Sequence, residues 1–271
     1  MKPGRFDLVL AGSCGEAVSL LGGREEAKPV AGSQSLGPML NLRLARPAVL
    51  VDLSACAELR GVTEEADSVL YGAALTHAEF EDGGLVDATP GWLPQIARRI
   101  AYRAVRNRGT VGGSLAHADP AADWVVTLRA LGASVLLAGP EGARELALGD
   151  FFTGALATAL RPGEIICAVR VPRRGAGARW GYWKFCRKLG EFAKASAAVL
   201  ADPERGEFAV VAGAIERAPV ALPEAQALIE GRADPRVVVE EALPFLPPER
   251  RALQATATAR AIAALREGES E

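Results

Sequence analysis

The sequence predicts an α+β protein in two parts, on three observations. Short β-rich runs alternate with capped helices through the first two-thirds of the chain. Two pairs of apolar runs are joined by tight turns, at Gly139-Pro140-Glu141-Gly142 and Asp202-Pro203-Glu204-Arg205-Gly206. Composition then shifts at Arg173-Arg174-Gly175-Ala176-Gly177-Ala178, which reads as a flexible basic linker. The boundary is placed there, giving a first domain at 1–174 and a second at 175–271. The second is a small α+β unit, an antiparallel sheet followed by helices.

The elements follow in order. Phe6 to Leu10 reads as a strand. Ser13 and Glu16 have capping-box spacing at the start of a helix that Gly22-Gly23 stops. Lys28 to Val30 and Ala48 to Leu53 are strands on either side of the small-residue loop Ala31-Gly32-Ser33-Gln34-Ser35-Leu36. Val69 to Leu75 is a strand ending at Thr76-His77, with Thr76 capping the next helix. His77 could face a ligand from that strand end, but a surface or capping role is the plainer expectation. Pro90 to Ala104 reads as one helix, with Trp92, Ile96, Ile100 and Ala104 near one face. Trp124 to Leu131 is helical, 134–138 and 143–148 form a hairpin, and Asp150-Phe151-Phe152 opens a short helix. Gly163 to Pro172 is a strand closed by proline. After the linker come an aromatic and basic run at 179–187, an antiparallel pair at 192–200 and 208–215, and helices at 223–229, 237–243 and 248–265. Glu267 to Glu271 is expected to fray.

Composition narrows the function. Hydrophobic residues are 49% of the 271 and charged residues 24%, the balance of a globular chain. A net charge of -2 gives no electrostatic reason to expect nucleic acid or an anionic membrane. No apolar run reaches the length of a membrane span, and Met1-Lys2-Pro3-Gly4 opens no signal-peptide core, so a cytoplasmic location is expected. Cys14, Cys56, Cys167 and Cys186 contain no Cys-x-x-Cys pair, which argues against an iron–sulfur or zinc site on this chain. With only His77 and His117, a multi-histidine metal site is excluded.

The chemistry concentrates in Asn107-Arg108-Gly109-Thr110-Val111-Gly112-Gly113-Ser114-Leu115-Ala116-His117-Ala118-Asp119-Pro120. Gly109, Gly112 and Gly113 permit positive φ and close approach of a ligand to main chain. Thr110 and Ser114 add hydroxyls, while Asp119 and Pro120 suit the N-cap and first position of a helix. Free amides among small polar side chains are what a phosphate needs. Arg98, Arg99, Arg103, Arg106 and Arg108 crowd nearby, either as a solvated face or as contacts to phosphate or a partner. The loop at 31–36 repeats the small-residue pattern, so two loops could grip one pyrophosphate. Neither has Gly-x-Gly-x-x-Gly spacing, a Gly-Lys-Ser/Thr or a Gly-x-Ser-x-Gly elbow.

Taken together, Ala31-Gly32-Ser33-Gln34-Ser35-Leu36, Arg106 to Ser114 and Ala116 to Asp123 resemble the FAD-binding medium subunits of the molybdenum hydroxylases, relatives of xanthine and carbon monoxide dehydrogenases. The resemblance runs through essentially the whole chain. It implies a two-part FAD-binding domain of the vanillyl-alcohol oxidase (PCMH) type, then the C-terminal domain of such medium subunits. It implies that Ala31, Gly32, Ser33, Gln34, Ser35 and Leu36 wrap the FAD pyrophosphate and that Thr110, Val111, Gly112, Gly113 and Ser114 close its other side. Asp123 matches an acidic contact expected at the ribose or adenine side, and Ile166 an apolar contact to the adenine half. Lys184 matches a lysine near the flavin ring, Phe192 an aromatic near the isoalloxazine, and Ile100 a further contact. No catalytic residue and no metal ligand is nominated.

The implied function is an oxidoreductase subunit that passes electrons from two [2Fe–2S] clusters on a small partner through FAD to an external acceptor. Molybdopterin would lie on a large partner, in a dimer of heterotrimers oxidising CO, an aldehyde or an N-heterocycle. A stand-alone FAD oxidase of the vanillyl-alcohol type is the alternative. Two departures are evident: the C-terminal domain looks shortened around Glu230 to Pro248, and the family's first loop usually reads Ala-Gly-Gly-Gln-Ser, where Ser33 replaces the second glycine. Were φ positive there, serine would cost of order 1 kcal/mol.

Overall fold

The computed structural model describes residues 2–23, 26–188 and 190–267. β1 (Asp7–Leu10), β2 (Ala27–Val30) and β3 (Val49–Asp52) form a parallel sheet in the order β1-β3-β2. Parallel strands need crossovers, and α1 (Cys14–Gly22) and α2 (Leu36–Asn41) supply them. At the start of α1, Ser13 Oγ accepts from the Glu16 N–H, while the Glu16 carboxylate accepts from Gly12 rather than from Ser13.

The second sheet is antiparallel and collects strands distant in sequence. β4 (Val62–Glu64), β5 (Ser68–Gly72), β6 (Ser134–Gly139) and β7 (Gly142–Ala147) join it, as does β10 (Ile165–Pro172), which follows a small pair, β8 (Phe152–Gly154) and β9 (Ala157–Thr158). The order is β4-β5-β10-β6-β7. Between β5 and β6 run α3 (His77–Glu81), α4 (Trp92–Arg99), α5 (Arg103–Arg106), α6 (Val111–His117) and α7 (Asp123–Ala130), and α8 (Leu148–Phe151) follows β7. The third sheet is β11 (Arg179–Phe185), β12 (Ala195–Asp202), β13 (Glu207–Gly213) and β14 (Val220–Ala221), in chain order. It is followed by α9 (Ala225–Glu230), α10 (Pro235–Ala242) and α11 (Pro248–Glu267). The expected frayed tail beyond 267 lies outside the described residues.

The largest core packs Trp92, Trp124, Tyr71 and Phe151 with Tyr182 and Leu200 of the third sheet. A second core sits under α11, between Val199, Val239 and Ile262. Burial of such side chains, at about 25 cal/mol per Å² of apolar surface, is the main favourable term.

Four local expectations change. The predicted helix from Pro90 to Ala104 breaks after Arg99: Ile100 is extended and Ala101 has φ 40°. The buried Arg106 guanidinium reaches back five and six residues and donates to the carbonyls of Ala101 and Ile100 at 3.2 and 2.9 Å, which holds the broken-helix conformation. The glycine-rich loop runs into a helix capped by Thr110, not Asp119. Thr110 Oγ1 accepts from Gly113, whereas Asp119 accepts from Ala121 and α7 starts only at Asp123. The short helix is Leu148–Phe151, and Phe152 begins a strand. Residues 173–178 are not a free linker: Arg173 and Arg174 donate their amides to Asp67 and Ala88, and Arg174 is buried.

Candidate functional site

A cleft of about 1070 Å³ opens where the parallel sheet, the α3–α7 segment and the third sheet meet. It exceeds the roughly 300–1,000 Å³ of ordinary small-molecule sites. Its walls include the whole 31–36 loop, Gly109, Thr110, Gly113 and Ser114 of the second loop, Asp123, Ile100, and Lys184 and Phe192 from the third sheet's first strand and its following loop.

The first loop is shaped by its own small residues. Ser33 sits at φ 59°, in the left-handed region. The Ser33 carbonyl accepts from Gly37 at 2.9 Å, and Gln34 Nε2 donates to the Gly32 carbonyl at 2.9 Å. Among the described residues, the amide N–H groups of Gly32, Ser33, Gln34, Ser35 and Leu36 donate to no protein acceptor. A run of unpartnered amides at the edge of a cleft is a receptor for an anion. Gly32 also makes the seam with the second loop, since a Cβ there would lie 2.0 Å from the Arg108 carbonyl oxygen and 2.8 Å from Gly109 Cα. Ser33→Gly should therefore raise thermal stability by about 1 kcal/mol, by removing the left-handed penalty. Ligand binding should survive it, and a titration showing loss would mean that the hydroxyl, not the backbone, holds the ligand.

The second loop works differently from expectation. Gly109, Gly112 and Gly113 all have φ outside the positive region. The Val111 and Gly112 amides are spent on Leu75 and Ala73 carbonyls, at 3.0 and 2.9 Å, and the Gly113 and Ser114 amides on Thr110. Val111 and Gly112 are buried away from the cleft, and Ile166 is likewise packed in the main core. Thus Thr110, Gly113 and Ser114 can meet a ligand by side chain or van der Waals contact. The run of free amides belongs to the first loop, while of the second loop's amides from 109 to 114 Thr110 alone is unpartnered among the described residues.

The resemblance puts Asp123 and Lys184 at different parts of a dinucleotide. In the structure they touch: Lys184 Nζ donates to Asp123 Oδ1 at 2.7 Å, and Tyr182 Oη donates to the same oxygen at 2.7 Å. Asp123 and Lys184 thus line the cleft as one contact pair. Burial, with the Asp123 charge beside it, pushes the Tyr182 phenol well up and keeps it a donor. Lys184 also donates to the Arg99 carbonyl at 2.8 Å, which leaves the third of its three N–H donors for a ligand. Arg103 and Arg106 are taken by carboxylates: Arg103 pairs with Glu81 and Asp82, and Arg106 with Glu81. Phe192 is 71% exposed, an aromatic face with little protein against it.

Sequence reasoning undervalues His77. It is buried at the start of α3, below the complete Thr76–Glu79 capping box, and it lines the cleft. Its one legible signal is its position at a strand end.

A family model described as the FAD binding domain in molybdopterin dehydrogenase matches residues 4–174. The chain belongs to the FAD-binding medium subunits of the molybdenum hydroxylases. It is 40% identical to the carbon monoxide dehydrogenase medium chain of Hydrogenophaga pseudoflava over 201 residues, 74% of this chain and 70% of that one. It is 35% identical to the nicotine 6-hydroxylase medium subunit of Paenarthrobacter nicotinovorans, over 80% of this chain and 77% of the relative. The solved structure of the carbon monoxide dehydrogenase from Hydrogenophaga pseudoflava superposes with a TM-score of 0.91 at 33% identity, covering 98% of this chain and 99% of that chain. The fold is thus that of these medium subunits, mixed helix and strand with an FAD-binding domain. As an oxidoreductase subunit with FAD as its cofactor, the chain has a lining that fits: a dinucleotide-sized cleft, unpartnered amides for phosphate, and an exposed aromatic face for a ring system.

Proposed function

We propose that this chain is the electron-passing flavin subunit of a three-subunit molybdenum hydroxylase. Electrons from two [2Fe–2S] clusters on a small partner would cross it to NAD, quinone or O2. The hydroxylation itself, of CO, an aldehyde or an N-heterocycle, would belong to a large molybdopterin partner, in a cytoplasmic dimer of heterotrimers. Residues 1–174 form the two-part PCMH-type FAD domain in this reading, and 175–271 the C-terminal domain. The observation that carries it is the amide row at 32–36 facing a cleft of about 1070 Å³. Relatives named as chains of carbon monoxide dehydrogenase and nicotine 6-hydroxylase support the multi-subunit setting.

FAD, when bound, supplies the ability to accept electrons singly and release them as a pair. This chain's residues do the holding. The amides of Gly32 to Leu36 bind the pyrophosphate, and Gly32 fixes the seam that positions them. Asp123, Tyr182 and the Arg99 carbonyl hold Lys184 so that one N–H points to the ligand. Phe192 and Ile100 offer apolar contact to rings. Asp123 is then a positioning residue rather than an end contact of the adenine half.

Purified chain mixed with FAD should show flavin absorbance after desalting, and acid precipitation should release the flavin. A flavin that stays on the precipitate would favour the stand-alone oxidase. Coexpression with an iron–sulfur and a molybdenum partner should yield one complex whose flavin band bleaches on anaerobic substrate addition. Bleaching without either partner would overturn the electron-passing role.

A further inference from the structure

We infer that His77 is a further ligand-binding residue of the cleft, its Nε2–H donating to a phosphate oxygen of the dinucleotide beside the amides of residues 32–36. The inference rests on the FAD reading above and adds a side-chain donor to its backbone cradle.

Four observations support it. Trp124 Nε1 donates to His77 Nδ1 at 2.9 Å. An indole N–H is a donor only, so Nδ1 must be the acceptor and the proton of the neutral ring sits on Nε2. Burial and the nearby Arg106 charge lower the imidazole pKa to about 4, so the ring is neutral at physiological pH. The residue is 5% exposed, and Nε2 has no hydrogen-bond partner among the described residues yet is not one of the sealed polar atoms, so its remaining surface opens on the cleft that His77 lines. Finally, the ring edge packs directly on Gly109, where a Cβ would lie 2.7 Å from Nε2, so the absent side chain at 109 is what lets the imidazole sit beside the second loop.

Gly109 also meets Gly32 at the seam of the two loops, and both glycines and His77 line the cleft. The donor is therefore locked in tautomer by Trp124, on a cleft whose wall also carries the amide row. An anionic oxygen is the acceptor that suits both. Tyr71 and Phe80 pack in the same layer, with Phe80 against the Trp124 ring at 5.1 Å, and keep the indole in place.

The chain has only two histidines, so imidazole nitrogen NMR of the full-length protein resolves His77 from His117. Without ligand, His77 should show protonated Nε2 and acceptor Nδ1 across pH 5–8. Adding FAD should move the Nε2 resonance, and inorganic pyrophosphate alone should move it in the same direction. In FAD titrations followed by flavin fluorescence, His77→Ala should weaken binding about tenfold. His77→Gln, which keeps a side-chain N–H, should recover part of the loss. Trp124→Phe should weaken binding less than His77→Ala and release the tautomer preference.

An Nε2 signal unmoved by FAD in a wild-type chain that binds it would overturn this inference alone. So would wild-type affinity in His77→Ala. Movement with FAD but not with pyrophosphate would overturn the phosphate assignment. A wild-type chain that binds no FAD would overturn the parent reading together with this one.

Discussion

Gly32→Ala should weaken FAD binding by at least about 100-fold, the largest ligand effect of any single methyl group in the cleft. A Cβ at 32 would stand 2.0 Å from the Arg108 carbonyl oxygen, 2.7 Å from its carbon and 2.8 Å from Gly109 Cα. All three are backbone atoms, so no rotamer change relieves the contact. One loop must move by more than about 1 Å, and misplacement on that scale costs about two orders of magnitude where geometry carries binding. The five amides from Gly32 to Leu36 then lose their common aim. Overpacking adds roughly 1–3 kcal/mol of destabilisation. Calorimetric FAD titration and thermal unfolding measure the two effects separately. Ser33→Gly is the matched control, changing the next residue of the same loop while removing strain instead of adding it. Unchanged affinity in Gly32→Ala would mean that the seam does not position the amides.

The elements with strong local signals were legible. Ser13 and Thr76 cap as their spacing suggests, the 139–142 and 202–206 turns close hairpins, and β3 and β10 follow apolar runs. Both loops reach the cleft. What stayed hidden depended on partners that neither spacing nor periodicity encodes. Thr110 and Asp119 are equally good caps on paper. The choice falls to Thr110 because Val111 and His77 hydrogen-bond across the Thr76–Thr110 bridge. The same bonds consume amides that a glycine-rich loop would otherwise offer to phosphate.

Lys184 and Asp123 are 61 residues apart, and nothing local in either predicts that they pair. The break at Ile100 is held by Arg106 reaching back to two carbonyls, which helical periodicity at Trp92, Ile96, Ile100 and Ala104 does not register. His77 shows the limit from another side. A strand-end histidine is ambiguous until Trp124, 47 residues on, is seen to fix its proton. The Ser33 expectation was legible as a condition, and φ 59° meets it.

Arg174→Met should lower stability by about 3–5 kcal/mol and the unfolding temperature by roughly 10 °C. Arg174 lies in the stretch whose composition suggests a linker, yet its side chain is 2% exposed. Nη2 donates to the Leu131 carbonyl at 2.7 Å, and Nη1 reaches Asp202 at 3.3 Å and also Glu207. Asp202 is 1% exposed, so removing the guanidinium leaves a buried carboxylate whose remaining cationic partner among the described residues is Arg205, at 4.0 Å.

That isolated charge, more than the lost contact, is the source of the penalty. A second substitution tests this: Arg174→Met with Asp202→Asn should recover part of the loss, because neighbouring changes couple. Arg174 lies outside the cleft, and the folded variant should bind FAD as wild type does. A loss below about 1 kcal/mol, judged against the usual spread for surface changes, would mean that 173–178 behaves as the loose connection its composition suggests. A loss of the expected size means that the first sheet-and-helix unit and the third sheet are joined through a buried ion pair placed at the point where the chain passes between them.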